Sequence, residues 1–136
     1  MELRKKEYVI DGEPVVSRRP AKLPPQKARR IRPHMVNVCW AYDHEGSKRL
    51  PTVLEWERIN SCETALVLAA ERLDVSFVGT LTSDGLHQFI VYCADPIPIQ
   101  IALIDSLPMP LKIPVSAELW NVGTTHDPDW KMAELL

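Results

Sequence analysis

Apolar and polar positions change period several times along the chain, and each change marks an element. Met35–Tyr42 (MVNVCWAY) is rich in β-branched and aromatic residues and reads as a strand. Thr52-Val53-Leu54-Glu55 fits a capping box, in which the threonine hydroxyl accepts the amide three residues on and the glutamate reaches back to the cap's own N–H. Trp56, Ile59, Cys62, Leu66, Ala69, Ala70 and Leu73 follow at three- and four-residue steps, while Glu55, Arg58, Glu71 and Arg72 fall mostly off that stripe. The spacing predicts a helix over 53–73 that packs one face on a sheet. Val75–Ser83 and Leu86–Cys93 then return to strand composition around Asp84-Gly85, a pair suited to a type I′ turn because both central residues need φ > 0. Counting outward from that turn sets Thr82 opposite His87, Thr80 opposite Phe89 and Val78 opposite Val91 on one face. The other face then carries Phe77 opposite Tyr92 and Gly79 opposite Ile90.

Further along, Pro96–Leu107 is apolar on most sides and suits a second helix, with Pro96 or Pro98 in its first turn and Pro108 and Pro110 stopping it. Ile113–Val122 alternates and reads as the last strand. Asp127-Pro128-Asp129-Trp130 opens a short terminal helix, with Asp127 as N-cap, Pro128 at the first helical position, and Trp130, Ala133 and Leu135 docking it. At the other end, Tyr8–Ile10 and Pro14–Ser17 flank Asp11-Gly12 as a short hairpin. Pro20, Pro24, Pro25 and Pro33 bracket a stretch without apolar period, expected to be an irregular connection.

The order from residue 35 onward is therefore βαββαβ plus a terminal helix. It predicts an α+β, ferredoxin-like antiparallel sheet with its helices on one face. Residues 1–33 form a basic extension and residues 34–136 a single domain. Both faces of the central hairpin are apolar, so the face away from the helices needs a cover, either the N-terminal segment or a second subunit.

Charge changes this picture at one end. Residues 1–33 hold ten Lys and Arg against four acidic residues, a net +6, and the remainder is −8. Arg18, Arg19, Arg29, Arg30 and Arg32 are the candidate contacts for an anionic partner. As a nucleic-acid signal they are weak, because only Tyr8 offers an aromatic platform among them. The absence of a long apolar run and of a secretory leader predicts a cytoplasmic protein with no membrane contact. Cys39, Cys62 and Cys93 each sit in an apolar element and are expected to be reduced, buried and chemically quiet.

Candidate chemistry is sparse. His87 near the turn has no evident partner for acid–base work and is expected on the surface, and Trp56 is expected in the core. His126, Asp127 and Asp129 resemble a metal cluster, but capping accounts for the carboxylates and no second cluster has ligand spacing. No catalytic residue, metal ligand or cofactor is assigned.

Several short motifs together resemble a known family. Asp-Gly-Glu-Pro (11–14), Val-Asn-Val-Cys-Trp-Ala-Tyr (36–42), Glu63-Thr64-Ala65-Leu66, Val78-Gly79-Thr80-Leu81-Thr82 with Gly85, and Phe89-Ile90-Val91-Tyr92 resemble the bacterial family called domain of unknown function six hundred and ninety-five. The Asp127–Trp130 ending is similar both to that family and to the ribonuclease E regulatory protein B family, which has a related ferredoxin-like fold. The arginine- and proline-rich stretch 18–33 departs from the family pattern. The resemblance implies a small bacterial cytosolic protein without established catalytic residues. Three function classes follow: a non-catalytic module that binds a protein partner or a second copy, a regulator of RNA metabolism acting through a ribonuclease or direct RNA contact, and a small-molecule-binding protein or enzyme using Cys39, Trp40 or His87.

Overall fold

Asp-Gly pairs close both hairpins of the sheet. In the computed structural model, which describes residues 3–42, 50–105 and 120–136, Asp11 and Gly12 have φ of 51° and 81°, and Asp84 and Gly85 have 50° and 81°. Both turns thus place two successive residues in the left-handed region, which matches the twist of the strands they join. The elements run β1 (Arg4–Ile10), β2 (Glu13–Arg19), α1 (Gln26–Ile31), β3 (His34–Ala41), α2 (Val53–Arg72), β4 (Val75–Ser83), β5 (Leu86–Cys93), α3 (Pro96–Asp105), β6 (Trp120–His126) and α4 (Lys131–Leu135). The fold is mixed α+β.

All described strands join one antiparallel sheet in the order β1-β2-β4-β5-β3-β6. The sheet has six strands, so its order differs from that of the four-stranded sheet expected from residue 35 onward: β1 and β2 join it beside β4. The N-terminal hairpin is longer than its apolar residues suggested, and β2 pairs with β4 from Val15↔Ser83 to Arg18↔Thr80, satisfying backbone groups that would otherwise lie at an edge. The stretch expected to be irregular contains α1. Its prolines bracket the helix instead of interrupting it: Pro25 occupies the N-cap position, where a missing N–H costs nothing, and Pro33 follows the last turn. With no buried residue, α1 has no apolar stripe by which to be read.

A bulge at Val78 corrects the expected register. Phe77 pairs with Val91 and Ser76 with Tyr92, then pairing resumes at Gly79↔Ile90. The extra residue turns Phe77 toward Phe89 and Val91 on one face and Val78 toward Ile90 and Tyr92 on the other, the reverse of the uninterrupted count. Gly79 beside it has φ 146°, and a Cβ there would strike the Arg18 carbonyl oxygen, so only glycine lets β2 come this close.

Each face has its own core. Between the sheet and α2 and α3, Val36, Val38, Phe77, Phe89 and Val91 of the strands pack with Ile59, Cys62 and Leu66 of α2 and Ile99 of α3. On the opposite face Val78, Ile90 and Tyr92 meet Trp130, Ala133 and Leu136, with Leu23 and Met35 alongside. Helices therefore flank both faces, not one. The second face is covered from within the chain, chiefly by the C-terminal segment, because Trp130 and Leu136 supply apolar area that a five-residue helix alone could not. Leu136, not the exposed Leu135, is the docking leucine. Of the expected strand 113–122, residues 113–119 lie outside the described residues, as do 106 and 107 of the second helix; β6 runs on to His126.

Candidate functional site

The helical face of the sheet carries a polar sector beside α2. Strand alternation puts Arg18 on β2, Thr80 and Thr82 on β4 and His87 on β5 on this face, because they pair across the ladder at Arg18↔Thr80 and Thr82↔His87. Thr80, Thr82 and His87 are each only 1% exposed. His87 is thus a core residue, contrary to the surface position expected from its place near a turn: β2 extends the sheet past it and α2 roofs it. Its Nδ1 lies 2.6 Å from Thr82 Oγ1. Its ring meets Phe89 edge-on at 4.5 Å and the Trp56 ring at 6.3 Å. Burial, and then the positive charge of Arg18, hold its pKa down at about 3. Such an imidazole stays neutral and out of reach of solvent, so it lacks both requirements of a general base, access and a pKa near the working pH. Its Nε2 has no hydrogen-bond partner among the described residues.

Arg18 reaches over this sector to Glu63 on α2, an ion pair with both side chains mostly buried. Glu55, expected off the apolar stripe, is 3% exposed, because its carboxylate turns along the helix to Arg58 Nη1 at 2.9 Å. The threonine half of the expected capping box forms, the Thr52 hydroxyl accepting the Glu55 amide at 3.2 Å, while the Glu55 carboxylate turns to Arg58.

A second polar network lies on the other face, around the Asp127–Trp130 ending. Asp127 does not cap as the residue just before the helix. The segment 127–129 forms a turn, Trp130 takes the left-handed conformation (φ 57°), and α4 begins at Lys131. The carboxylate still accepts the Lys131 and Met132 amides at 3.0 Å each, and the Tyr92 hydroxyl at 2.7 Å. Burial opposes its ionisation, but these three donors together bring its pKa below the usual carboxylate value. The Trp130 ring stacks on Tyr92 at 4.3 Å and 19°. Its indole N–H donates to the carbonyls of Arg29 (3.1 Å) and Arg32 (2.9 Å) at the end of α1. Burial, reinforced by the bond to Asp127 and its charge, pushes the Tyr92 hydroxyl upward.

The arginines singled out from the sequence divide between these networks. Arg29 donates to Pro24 O (2.6 Å), Asp129 O (3.0 Å) and Glu134 Oε1 (2.6 Å), so it ties α1 to α4. Arg32 reaches Asp74 at 2.5 Å and Ser76 Oγ at 2.6 Å, beside the start of β4. Arg30 is 3.8 Å from Asp129 with its side chain two-thirds exposed. Arg18 lies on β2 under α2, and Arg19 is the last residue of the same strand. The structure brings Arg29 and Arg30 on α1 together with Arg32 at its C-cap, and places Arg18 and Arg19 apart from them on β2.

Cys39, Cys62 and Cys93 are free and buried, and burial raises the pKa of each, Cys93 to about 11 with help from Asp95 and Asp74. Cys39 shares a face with Asn37 and Gln88, its sulfur 3.1 Å from Asn37 Nδ2, which is the face opposite His87. Cys39 and His87 thus do not line one site. Among the described residues no helix is long and apolar enough to cross a membrane. At the turn end of the first hairpin, Tyr8, Val9, Pro14, Val15, Val16 and Leu50 are among the residues lining a shallow, mostly apolar groove of about 400 Å³. Val9 and Ile10 are exposed there, at 68% and 53%.

A family model described as Family of unknown function (DUF695) matches residues 7–136. The chain belongs to this family. The match takes in the β1–β2 hairpin from Glu7 as well as the Asp127–Trp130 ending, so both polar networks and the groove fall within the family's extent. No curated protein and no solved structure matches the chain.

The relations that build these networks were out of reach of sequence spacing. Tyr92–Asp127, Trp130–Arg29 and Arg18–Glu63 join residues far apart in the chain and on different elements. The only local signal was Asp127-Pro128-Asp129, which marked a helix start but not the partners it gathers.

Proposed function

We propose that this member of the DUF695 family is a non-catalytic protein-interaction module of the bacterial cytosol. In this reading it is built on a ferredoxin-like unit of β3 to β6, widened by the β1–β2 hairpin. The observation that carries it is the apolar groove at the hairpin tip beside exposed Val9 and Ile10, on a strand whose other side chains include Arg4, Lys5 and Lys6. Apolar area left in contact with water at a sheet edge suits a partner segment that supplies apolar side chains to the groove and acidic ones to the three cations. The buried neutral His87 and the raised thiols support a module without turnover.

Binding of a partner from the native host, or self-association measured by light scattering, is expected for the wild type. It should fall at least about tenfold in a Val9→Glu/Ile10→Lys variant that keeps its circular dichroism. A wild type that is monomeric and captures nothing, or a double variant that binds equally well, would overturn the reading.

A second reading, contact with RNA directly or through a ribonuclease, rests on the +6 charge of residues 1–33 and on the exposed Arg30 side chain. The likeness of the Asp127–Trp130 ending to the ribonuclease E regulatory protein B family points the same way. It is favoured instead if the captured partner binds with steep salt dependence and is lost in Arg19→Gln/Arg30→Gln, two changes that leave the α1 struts intact.

A further inference from the structure

At the end of the sheet near α1, two histidines 92 positions apart face each other across β3 and β6. His34 and His126 are register partners. The neighbouring pair, Pro33 and Asp127, carries the ladder bond from Asp127 N to Pro33 O at 2.7 Å. Antiparallel pairs alternate, so His34–His126 is the closer, non-hydrogen-bonded kind, with Cα atoms about 4.5 Å apart. Their ring centroids are 5.2 Å apart and inclined by 54°. His126 is exposed and His34 half-buried, so the pair opens to solvent.

That spacing has a chemical meaning. Two imidazoles bound to one tetrahedral Zn²⁺ at the usual Zn–N distance place their ring centroids about 5 Å apart, the separation already present. We propose that His34 and His126 form a cross-strand, two-imidazole site for a borderline divalent transition-metal ion of the Zn²⁺ or Cu²⁺ type. It differs from the His126, Asp127 and Asp129 trio that the sequence suggested. Asp127 is committed to Tyr92 and two α4 amides, and Asp129 lies toward Arg30. Cys93 sits opposite His34 on its other side but is fully buried, its thiol held protonated. Among the described residues no three His, Cys, Asp or Glu side chains converge. The protein therefore supplies two donors and leaves the remaining positions to water or to a ligand brought by another molecule. An exchangeable site results, unlike a closed structural zinc.

The test uses the untagged full chain. Calorimetric titration with Zn²⁺ should give saturable binding at one ion per chain, weakened about tenfold or more in both His34→Ala and His126→Ala and retained in Cys93→Ser. Cu²⁺ added at one equivalent should show, in its electron paramagnetic resonance spectrum, coupling to two imidazole nitrogens in the wild type and fewer in either histidine variant. Zn²⁺ should raise the thermal midpoint of the wild type and of neither histidine variant, since the ion would bridge two strands present together only in the folded sheet. Circular dichroism of each variant checks that the fold is kept. The proposal is overturned by absence of Zn²⁺ binding, by binding unchanged in both histidine variants, by loss in Cys93→Ser, or by a Cu²⁺ spectrum without the second imidazole.

Discussion

His87 shows how one side chain's environment can reverse its expected role. Two residues from a tight turn, it would ordinarily titrate in water, yet β2 and α2 enclose it and its pKa falls to about 3. A group whose folded pKa is depressed below an unfolded value near 6.5 adds no proton-linked cost above that value. As the pH drops from about 6.5 toward 3, the unfolded chain takes up a proton that the folded one refuses, and stability declines by about 1.4 kcal/mol per pH unit. Chemical denaturation between pH 7 and 4 should therefore lose this slope in His87→Leu, where the remaining slope comes from other groups. An unaltered slope in that variant would mean that the ring titrates freely in the native protein. Asp127 has the same sign for a different reason. Its carboxylate is stabilised as an anion by three donors, so its contribution disappears only at lower pH, as it too is protonated.

Among the elements, α1 and α4 are each too short to persist alone, six and five residues long. What orders them is mutual: the Trp130 indole closes onto the carbonyl end of α1, Arg29 returns to Asp129 and Glu134, and Tyr92 presents the sheet surface on which Trp130 stacks. Trp130→Phe keeps most of the stacking and deletes the donor, leaving two helix-end carbonyls without it. The expected loss is about 1–2 kcal/mol, or a thermal midpoint lower by about 5 °C, with faster amide exchange concentrated in residues 26–36 and 127–136. Uniform destabilisation with no local change in exchange would show that the two short helices are not coupled through this residue. The α2 helix is the contrasting case. Its Thr52 cap and its stripe Ile59, Cys62, Leu66 and Ala69 formed as the spacing required, because a twenty-residue amphipathic helix carries its own instructions.

In the whole molecule the N-terminal hairpin is part of the sheet and not a detached arm. β2 pairs over four residues with β4, Gly79 permits the close approach, and Arg18 ties the hairpin to α2 through Glu63. Deleting residues 1–19 would bare the β4 edge and leave Glu63 buried without its cation. We expect that truncated chain to be markedly less stable and to associate through the exposed edge, read by light scattering and thermal melting. A truncated chain that stays monomeric with the parent's midpoint would show that the hairpin is an appendage. The same geometry bears on partner binding, since β1 becomes the outer edge and the groove lies where the hairpin turns.

Much of this molecule was legible in residue order. Asp11-Gly12 and Asp84-Gly85 specified their turns, Thr52–Glu55 the start of α2, and the odd, scattered cysteines their buried, unpaired state, since each depends on neighbours within a few positions. Other features had no local signature. The bulge at Val78 moved Phe77 and Val78 to opposite faces from those counted, α1 formed without an apolar stripe, and the outer face was sealed by the chain's own C-terminus. Turn chemistry and helical period are short-range properties that a sequence states outright. Which strand covers an edge, whether a histidine is wet or dry, and which two imidazoles meet across 92 residues depend on the free energy of the whole packing, and only the assembled sheet decided them.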